Sequence, residues 1–93
     1  MRIAFDARKD AINRGKHGVS LAFGAAVLAD PDRADALDLR MSHVEKRTIT
    51  YGRVQNRVWV CVYAERDGSH RIISVRKANE RETKRYWQKK APR

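Results

Sequence analysis

Arg76 and Lys77 are the residues whose type and position best suit chemistry on a phosphate ester. They close the stretch from Arg71 to Lys77, whose apolar centre predicts a short strand. An arginine guanidinium is planar, keeps its charge and offers parallel N–H groups to phosphate oxygens. We therefore predict that Arg76 binds a phosphate group and that Lys77 assists it. An ion pair at the end of the strand is the alternative role for Arg76.

His17 is the first candidate for proton transfer. Lys16 and His17 lie between Gly15 and Gly18, where we expect the first helix to have ended in an exposed turn. Imidazole titrates near neutral pH and can act as an acid or a base. The alternative is a loop histidine that is merely solvated or hydrogen-bonded.

Tyr63 is a second candidate, for proton transfer or for stacking on a base. It belongs to residues 58–64, a nearly continuous apolar run that is typical of a central strand covered on both faces. Alternation gives one face with Val58, Val60 and Val62 and another with Trp59, Cys61 and Tyr63. We expect the valine face to be the core side. If the other side is shared with Ser74 and Arg76, Arg76 gains Trp59 and Tyr63 as neighbours on which a base could stack. The alternative is that Trp59 and Tyr63 are core aromatics.

Positive charge is concentrated near the end of the chain. The whole sequence has 21 Lys and Arg against 11 Asp and Glu, a formal charge of +10. Nine of these basic residues and two Glu fall between Arg71 and Arg93, a local charge of +7. Such a concentration predicts a nucleic acid or an acidic protein as partner.

The sequence lacks the motifs of metal and nucleotide chemistry. His17, His43, His70 and Cys61 are too scattered for a metal site, and no P-loop or dinucleotide-binding turn is present. Cys61 lies within an apolar strand, which predicts a buried structural thiol. The remaining basic, hydroxyl and carboxyl groups suit a ribonuclease that works without metal or cofactor. Arg53 and Arg81 would then join Lys16 and Lys77 in holding RNA.

The pattern along the chain predicts one α+β domain over residues 1–93. We expect two helices near the N-terminus, a three- to four-stranded antiparallel sheet and a C-terminal helix. Asp6 and Ser20 are suitable N-caps, Ala7, Ala11 and Ile12 would face inward, and residues 30–38 would form a loop. Asn79 and Glu82 form a capping-box pattern. The lone cysteine and the lack of a membrane-spanning stretch favour the cytoplasm and give no reason to expect membrane binding.

The order of several short motifs resembles the BrnT toxin family. These are Lys16-His17-Gly18-Val19-Ser20, Ala29-Asp30-Pro31, Glu45-x-Arg47 with Gly52, and Arg71 to Ala78 followed by Glu82 and Tyr86. The resemblance covers the chain from Phe5 to Tyr86. It implies a RelE-like fold and a bacterial type II toxin that cleaves RNA and arrests growth. It also implies a BrnA-like ribbon-helix-helix antitoxin, in a hetero-oligomer that binds operator DNA.

The sequence departs from the family pattern in two places. The second helix begins Leu21-Ala22-Phe23 where the family usually has Phe-Glu-Glu, which leaves this helix unusually apolar. Tyr63-Ala64 stands where a His-Thr pair is common, so no role of that histidine transfers to this chain. Our leading hypothesis is a metal-independent endoribonuclease with Arg76, His17 and Tyr63 as catalytic candidates. The alternatives are a non-catalytic nucleic-acid-binding module and a protein-interaction domain.

Overall fold

The computed structural model describes residues 1–41 and 45–90, with the side chains of Met41 and Lys90 left out. Within these residues the helices are α1 (Ala7–His17), α2 (Gly24–Leu28) and α3 (Glu80–Lys90). The strands are β1 (Ile3–Ala4), β2 (Ala34–Asp38), β3 (Arg47–Val54), β4 (Arg57–Arg66) and β5 (Ser69–Lys77). Two 3₁₀ turns, Leu21–Phe23 and Leu39–Met41, precede α2 and follow β2. No helix of the described residues is long and apolar enough to cross a membrane.

The strands form one mixed sheet in the order β1-β5-β4-β3-β2. β2 to β5 pair antiparallel, and β1 runs parallel to β5 over two residue pairs. The α+β class is confirmed, and β2 to β5 form the predicted antiparallel arrangement, but the parallel β1 makes the whole sheet mixed and not antiparallel as predicted. The predicted strand count was too low, because β2 lies in a segment that was predicted to be a loop. Ala34-Asp-Ala-Leu-Asp has no β-branched residue, and it is held as a strand by its pairing with β3.

The first helix is longer than the glycines indicate. Gly15 lies inside α1, which ends at His17, and Gly18 adopts a left-handed conformation (φ 77°) and donates its N–H to the Arg14 carbonyl. The prediction that Lys16 and His17 lie in a turn is therefore wrong, and both belong to the last helical turn. Asp6 does cap the helix, because its carboxylate accepts from the Arg8 N–H at 3.3 Å.

Asn13 is the residue by which α1 attaches to the sheet. β1 covers only the first part of the β5 edge. Beyond β1, the Asn13 amide forms hydrogen bonds with both the N–H and the carbonyl of Val75. Val75 N–H donates to Oδ1 at 3.1 Å, and Nδ2 donates to the Val75 carbonyl at 2.9 Å. The predicted inward positions were wrong, since Ala7, Ala11 and Ile12 are exposed and Asn13 is buried.

The main core lies between the sheet and the segment that contains α2. Leu21, Val27 and Leu28 pack there against Trp59, Cys61, Tyr63, Ile72 and Val75. Gly52 allows this close approach, because a Cβ at that position would collide with the Val27 carbonyl oxygen. The opposite face carries a smaller cluster in which Tyr86 of α3 packs on Val58, Val60 and Ala78. α3 thus covers only part of that face.

The predicted faces of β4 and β5 were assigned wrongly. Val60 pairs with Arg76 and Val62 with Ser74, so Arg76 lies on the valine face and not on the face of Tyr63. Tyr63 pairs with Ile72, which leaves Ile73 as the extra residue of a β-bulge. The face of Trp59, Cys61 and Tyr63 is the main core side. Since β4 is apolar on both faces, alternation within that strand does not show which face carries the larger core.

Candidate active site

The part of the valine face that α3 leaves uncovered forms an open groove of about 620 Å³. Its floor is apolar, with Val60 and Val62 of β4 and Ile49 of β3. Basic residues and a tyrosine lie around this floor. The rim and walls are made by Lys16, His17, Asp38, Arg40, Arg47, Tyr51, Ile73, Ser74, Arg76 and Glu82. A concave surface with convergent polar groups is the default location for a ligand site.

Three of the predicted site residues meet in this groove. Lys16 and His17 reach it from the last turn of α1, and Arg76 reaches it from the end of β5. Asn13 lies one helical turn before His17 and fixes α1 to Val75, the residue next to Arg76. The two chain segments are therefore held together by direct hydrogen bonds.

Arg76 is held by a bidentate ion pair with Glu82. Arg76 Nη1 and Nη2 donate to the two Glu82 oxygens at 2.8 and 2.9 Å. These charge-assisted hydrogen bonds lower the pKa of Glu82 and raise the pKa of Arg76. The predicted strand-end ion pair thus exists, in a geometry that fixes the plane of the guanidinium.

Glu82 also caps the N-terminus of α3. Its carboxylate accepts from the Asn79 N–H at 2.9 Å, and its own N–H donates to the Asn79 side chain at 2.8 Å. The predicted capping box is confirmed. One carboxylate therefore both caps the C-terminal helix and orients Arg76 in the groove.

Arg40 forms a second arginine–carboxylate pair on the other side of the groove. Its Nε and Nη2 donate to Asp38 at 2.9 Å each. Asp38 is 2 % exposed whereas the Arg40 side chain is 77 % exposed, so a buried carboxylate anchors a solvent-facing guanidinium. The hydrogen bonds from Arg40 lower the pKa of Asp38. Tyr51 is close enough to interact electrostatically with both Arg40 and Arg76.

Both arginines keep donors for a further anion. Arg76 uses Nη1 and Nη2 for Glu82, and Nη1 also donates to the Lys77 carbonyl at 3.3 Å. Within residues 1–41 and 45–90, its Nε–H and second Nη2–H have no hydrogen-bond partner. These two donors lie on one edge of the guanidinium and match two oxygens of a phosphate. Arg40 is bound along that edge instead, and its Nη1 donors have no hydrogen-bond partner among the residues that the structure describes.

Tyr63 does not lie in the groove. It is 8 % exposed on the main core side, where its ring is 4.7 Å from the ring of His70. Burial raises the pKa of its phenol, and a hydrogen bond with Thr48 acts in the opposite direction. The sheet therefore separates Tyr63 from Arg76. Tyr51 is the tyrosine that the fold places beside the two arginines.

Arg53, Lys77 and Arg81 are exposed but do not line the groove. Arg53 lies over the Trp87 ring, with 5.5 Å from its guanidinium carbon to the ring centroid. Lys77 follows Arg76 and pairs with Trp59, so it points away from the groove face. Arg81 lies in the first turn of α3.

Two further sequence predictions concern Cys61 and metal ligands. Cys61 is fully buried, and burial raises the pKa of its thiol to about 12, in keeping with a structural role. No three His, Cys, Asp or Glu side chains come together among the residues that the structure describes. His43 lies outside those residues.

Sequence reasoning missed Arg40, Asp38 and Tyr51 as residues of the groove that contains Arg76. Alternation along β3 puts Arg47 and Tyr51 on one strand face, and both line the groove, but nothing in the local pattern linked that face to Arg76. A usable signal was the Asp38-x-Arg40 spacing, since a carboxylate two residues from an arginine can form a local bidentate pair.

Comparison with known proteins identifies the family. A family model described as ribonuclease toxin, BrnT, of type II toxin-antitoxin system matches residues 5–82. A comparison with curated proteins found no match. The matched range contains α1, the whole sheet from β2 to β5 and the start of α3, and thus the groove residues from Lys16 to Glu82. The chain therefore belongs to the BrnT family of ribonuclease toxins.

Proposed function

We propose that this protein is a metal-independent endoribonuclease whose active site is the groove around Arg76. The observation that carries the proposal is the edge of the Arg76 guanidinium, held in place by Glu82 and open to a phosphate. Family membership supports RNA as the substrate. The site residues and the mechanism are our inference from the geometry.

The reaction uses the ribose 2′-hydroxyl of the substrate as its nucleophile. The 2′-oxygen attacks the adjacent phosphorus while a base takes its proton, and the bond from phosphorus to the 5′-oxygen breaks. A proton is delivered to that leaving oxygen, which gives a 2′,3′-cyclic phosphate and a 5′-hydroxyl end. The protein must supply a base, an acid and cations for the phosphorane-like transition state.

Arg76 is the group that we assign to the transition state. Its open edge offers two N–H donors to the non-bridging oxygens, where negative charge increases during attack. Lys16 and Arg40 add positive charge on opposite sides of the groove. His17 is our candidate for one proton transfer, and Tyr51 takes the place of Tyr63 as the second candidate. Arg53, Lys77 and Arg81 would contact RNA outside the groove.

The partner proposal rests on the family. A type II toxin is paired with an antitoxin, and we propose a BrnA-like ribbon-helix-helix protein that covers the basic groove. The pair would form a hetero-oligomer in the cytoplasm that binds operator DNA. Expression of the chain should arrest growth, and co-expression of the neighbouring reading frame should relieve it. Growth arrest without RNA decay would count against a ribonuclease.

The direct test is cleavage of RNA by the purified protein in excess chelator. Wild type should cut, and Arg76→Ala should lower the rate by about 10²–10³, the usual loss when a preorganised donor is removed. Arg76→Lys keeps a charge beside Glu82 but loses the bidentate fork, so it should also be strongly impaired. Arg57→Ala removes the same charge from an exposed position outside the groove and should cut normally.

The products distinguish this mechanism from its alternatives. A 2′,3′-cyclic phosphate end and resistance of a fully 2′-deoxy strand are expected. If Arg76→Lys folds and cuts RNA as fast as wild type, Arg76 is not part of the mechanism. Salt-dependent RNA binding without cleavage at any time would instead favour the non-catalytic module.

A further inference from the structure

A second cavity of about 150 Å³ adjoins the groove on the side of α1. Lys16, His17, Ile73 and Ser74 line both cavities, so the two are adjacent. The smaller one extends away from Arg76 along α1 towards Lys9 and Ile12. A polymeric ligand that crosses the groove can therefore continue past Ser74 into this second cavity.

Ile12 and Ile73 give this cavity its apolar surface. Ile12 is a large hydrophobic residue that is 58 % exposed, although it lies on a helix that packs against the sheet. Ile73 is the extra residue of the β-bulge, and the bulge turns it to the same side as Ser74. A regular strand would have placed Ile73 with the core. A volume of 150 Å³ is enough for a six-membered aromatic ring.

Lys9 and Lys16 add positive charge on either side of Ile12. The three residues lie on one face of α1, at positions i, i+3 and i+7. Within the described residues neither lysine forms an ion pair, in contrast to Arg14 on the other side of the helix, which pairs with Asp10 at 3.0 Å. Apolar surface between two unpaired ammonium groups matches a base and its flanking phosphates.

We propose that this cavity is a subsite for the nucleotide next to the scissile phosphate in a single-stranded RNA. The base packs on Ile12 and Ile73, and Lys9 and Lys16 contact the phosphates. An unpaired strand is favoured because a base in a duplex would first have to be unpaired and unstacked, at a cost in free energy, before it could enter the cavity. The inference rests on the proposed function, since it takes the groove around Arg76 as the cleavage centre.

The first experiment measures phosphate contacts by salt dependence. The probe is a fluorescent single-stranded oligonucleotide of mixed sequence with 2′-fluoro riboses, which binds without the attacking hydroxyl. Lys9→Ala should lower the slope of log affinity against log salt by about 0.7, the value for one phosphate on a single strand. Arg8→Ala is the matched control. It removes the same charge at a neighbouring position that lies about 100° around the helix and lines neither cavity.

The second experiment measures the base contact. Ile12→Ser should weaken binding of the same probe by about fivefold, from the loss of apolar contact. An abasic residue is then introduced at each position of the probe in turn. At one position it should weaken wild-type binding by a similar factor and leave the binding of Ile12→Ser unchanged. Because Ile12 is exposed, this variant should melt at the wild-type temperature.

The results separate this inference from the proposed function. An unchanged salt slope for Lys9→Ala, or additive losses for Ile12→Ser and every abasic probe, would overturn the subsite. Cleavage that still depends on Arg76 would leave the proposed function intact in that case. Lack of both cleavage and RNA binding by wild type would overturn both.

Discussion

The two faces of the sheet use similar apolar strand residues for different purposes. On the covered face, Trp59, Cys61 and Tyr63 lie beneath Leu21, Val27 and Leu28. On the groove face, Val60 and Val62 form a floor beneath charged groups, and α3 covers only one part of it. The covered face therefore contributes mainly stability, and the groove face presents charge at a fixed place.

The difference shows how a small domain can hold arginines in an ordered arrangement. Arg76 and Arg40 do not extend freely from the groove, because each is bound at two points by a carboxylate. Because the ion pairs already order the two arginine side chains, less conformational entropy is lost when an anion binds to them. They also reduce the net charge of the groove, so its affinity for RNA depends on the remaining donors as well as on charge.

The largest effect on the free energy of unfolding is expected from Gly52→Val, which lies on the covered face. A side chain there would meet the Val27 carbonyl oxygen, which belongs to the backbone of α2 and cannot rotate away. We expect a loss of about 3 kcal/mol in the free energy of unfolding, measured by urea titration. Gly15→Ala is the control, since a Cβ at Gly15 meets nothing within 4 Å, and it should stabilise α1 by about 0.5–1 kcal/mol. A Gly52→Val protein as stable as wild type would contradict the close packing of α2 on β3.

A smaller loss of stability is expected from Tyr86→Phe, at the contact between α3 and the sheet. The Tyr86 hydroxyl donates to the buried carboxylate of Asp30 at 2.5 Å. Its removal should cost about 1–2 kcal/mol, because the apolar packing of the ring is kept and one hydrogen bond to a charged group is lost.

The pH dependence of the stability lost in Tyr86→Phe tests whether the hydrogen bond to Asp30 is its cause. Burial, with the hydrogen bond to Asp30, raises the pKa of Tyr86 to about 12 from an ordinary value of 10.0. The raised pKa means that the neutral phenol stabilises the fold fully below pH 10, and that this contribution is lost as the pH rises towards 12. The difference in unfolding free energy between wild type and Tyr86→Phe should therefore shrink over that range. A difference that stays constant up to pH 12 would contradict the hydrogen bond to Asp30 as its cause.

The smallest effect is expected from Tyr63→Phe, which is compared with Tyr51→Phe on the opposite face of the sheet. Tyr51→Phe removes the hydroxyl that we propose for proton transfer beside Arg40 and Arg76, and it should slow RNA cleavage by about 10²-fold or more. Tyr63→Phe should leave the cleavage rate unchanged, because Tyr63 lies on the main core side and the sheet separates it from Arg76. The reverse result would restore Tyr63 as a catalytic candidate and contradict the division of roles between the faces.

Local signals in the sequence predicted much of the fold. The caps at Asp6 and Ser20, the capping box of Asn79 and Glu82, and the apolar run of β4 involve contacts within a few residues or a clear composition. The end of α1 was misjudged because a helix tolerates Gly15 at a modest cost, whereas Gly18 supplies the left-handed conformation that ends it. β2 was missed because pairing with β3, and not composition, makes it a strand.

The site was predictable only in part. Arg76 and His17 were found because their residue types suit the chemistry, and the fold brings both to one groove. The side of the sheet on which they meet depends on the register of β4 with β5 and on the bulge at Ile73. A shift of one residue reverses the faces of a strand, and the residues alone do not reveal a bulge.

Asn13 has a consequence for the behaviour of the protein in solution. The outer edge of β5 has backbone donors and acceptors beyond the end of β1, and an uncovered edge of this kind can pair with another chain and promote aggregation. The Asn13 amide occupies the N–H and the carbonyl of Val75 on that edge. One side chain thus occupies backbone groups that an additional strand would otherwise pair with. This should reduce edge-to-edge association of the cationic toxin, and it leaves the groove beside Asn13 open.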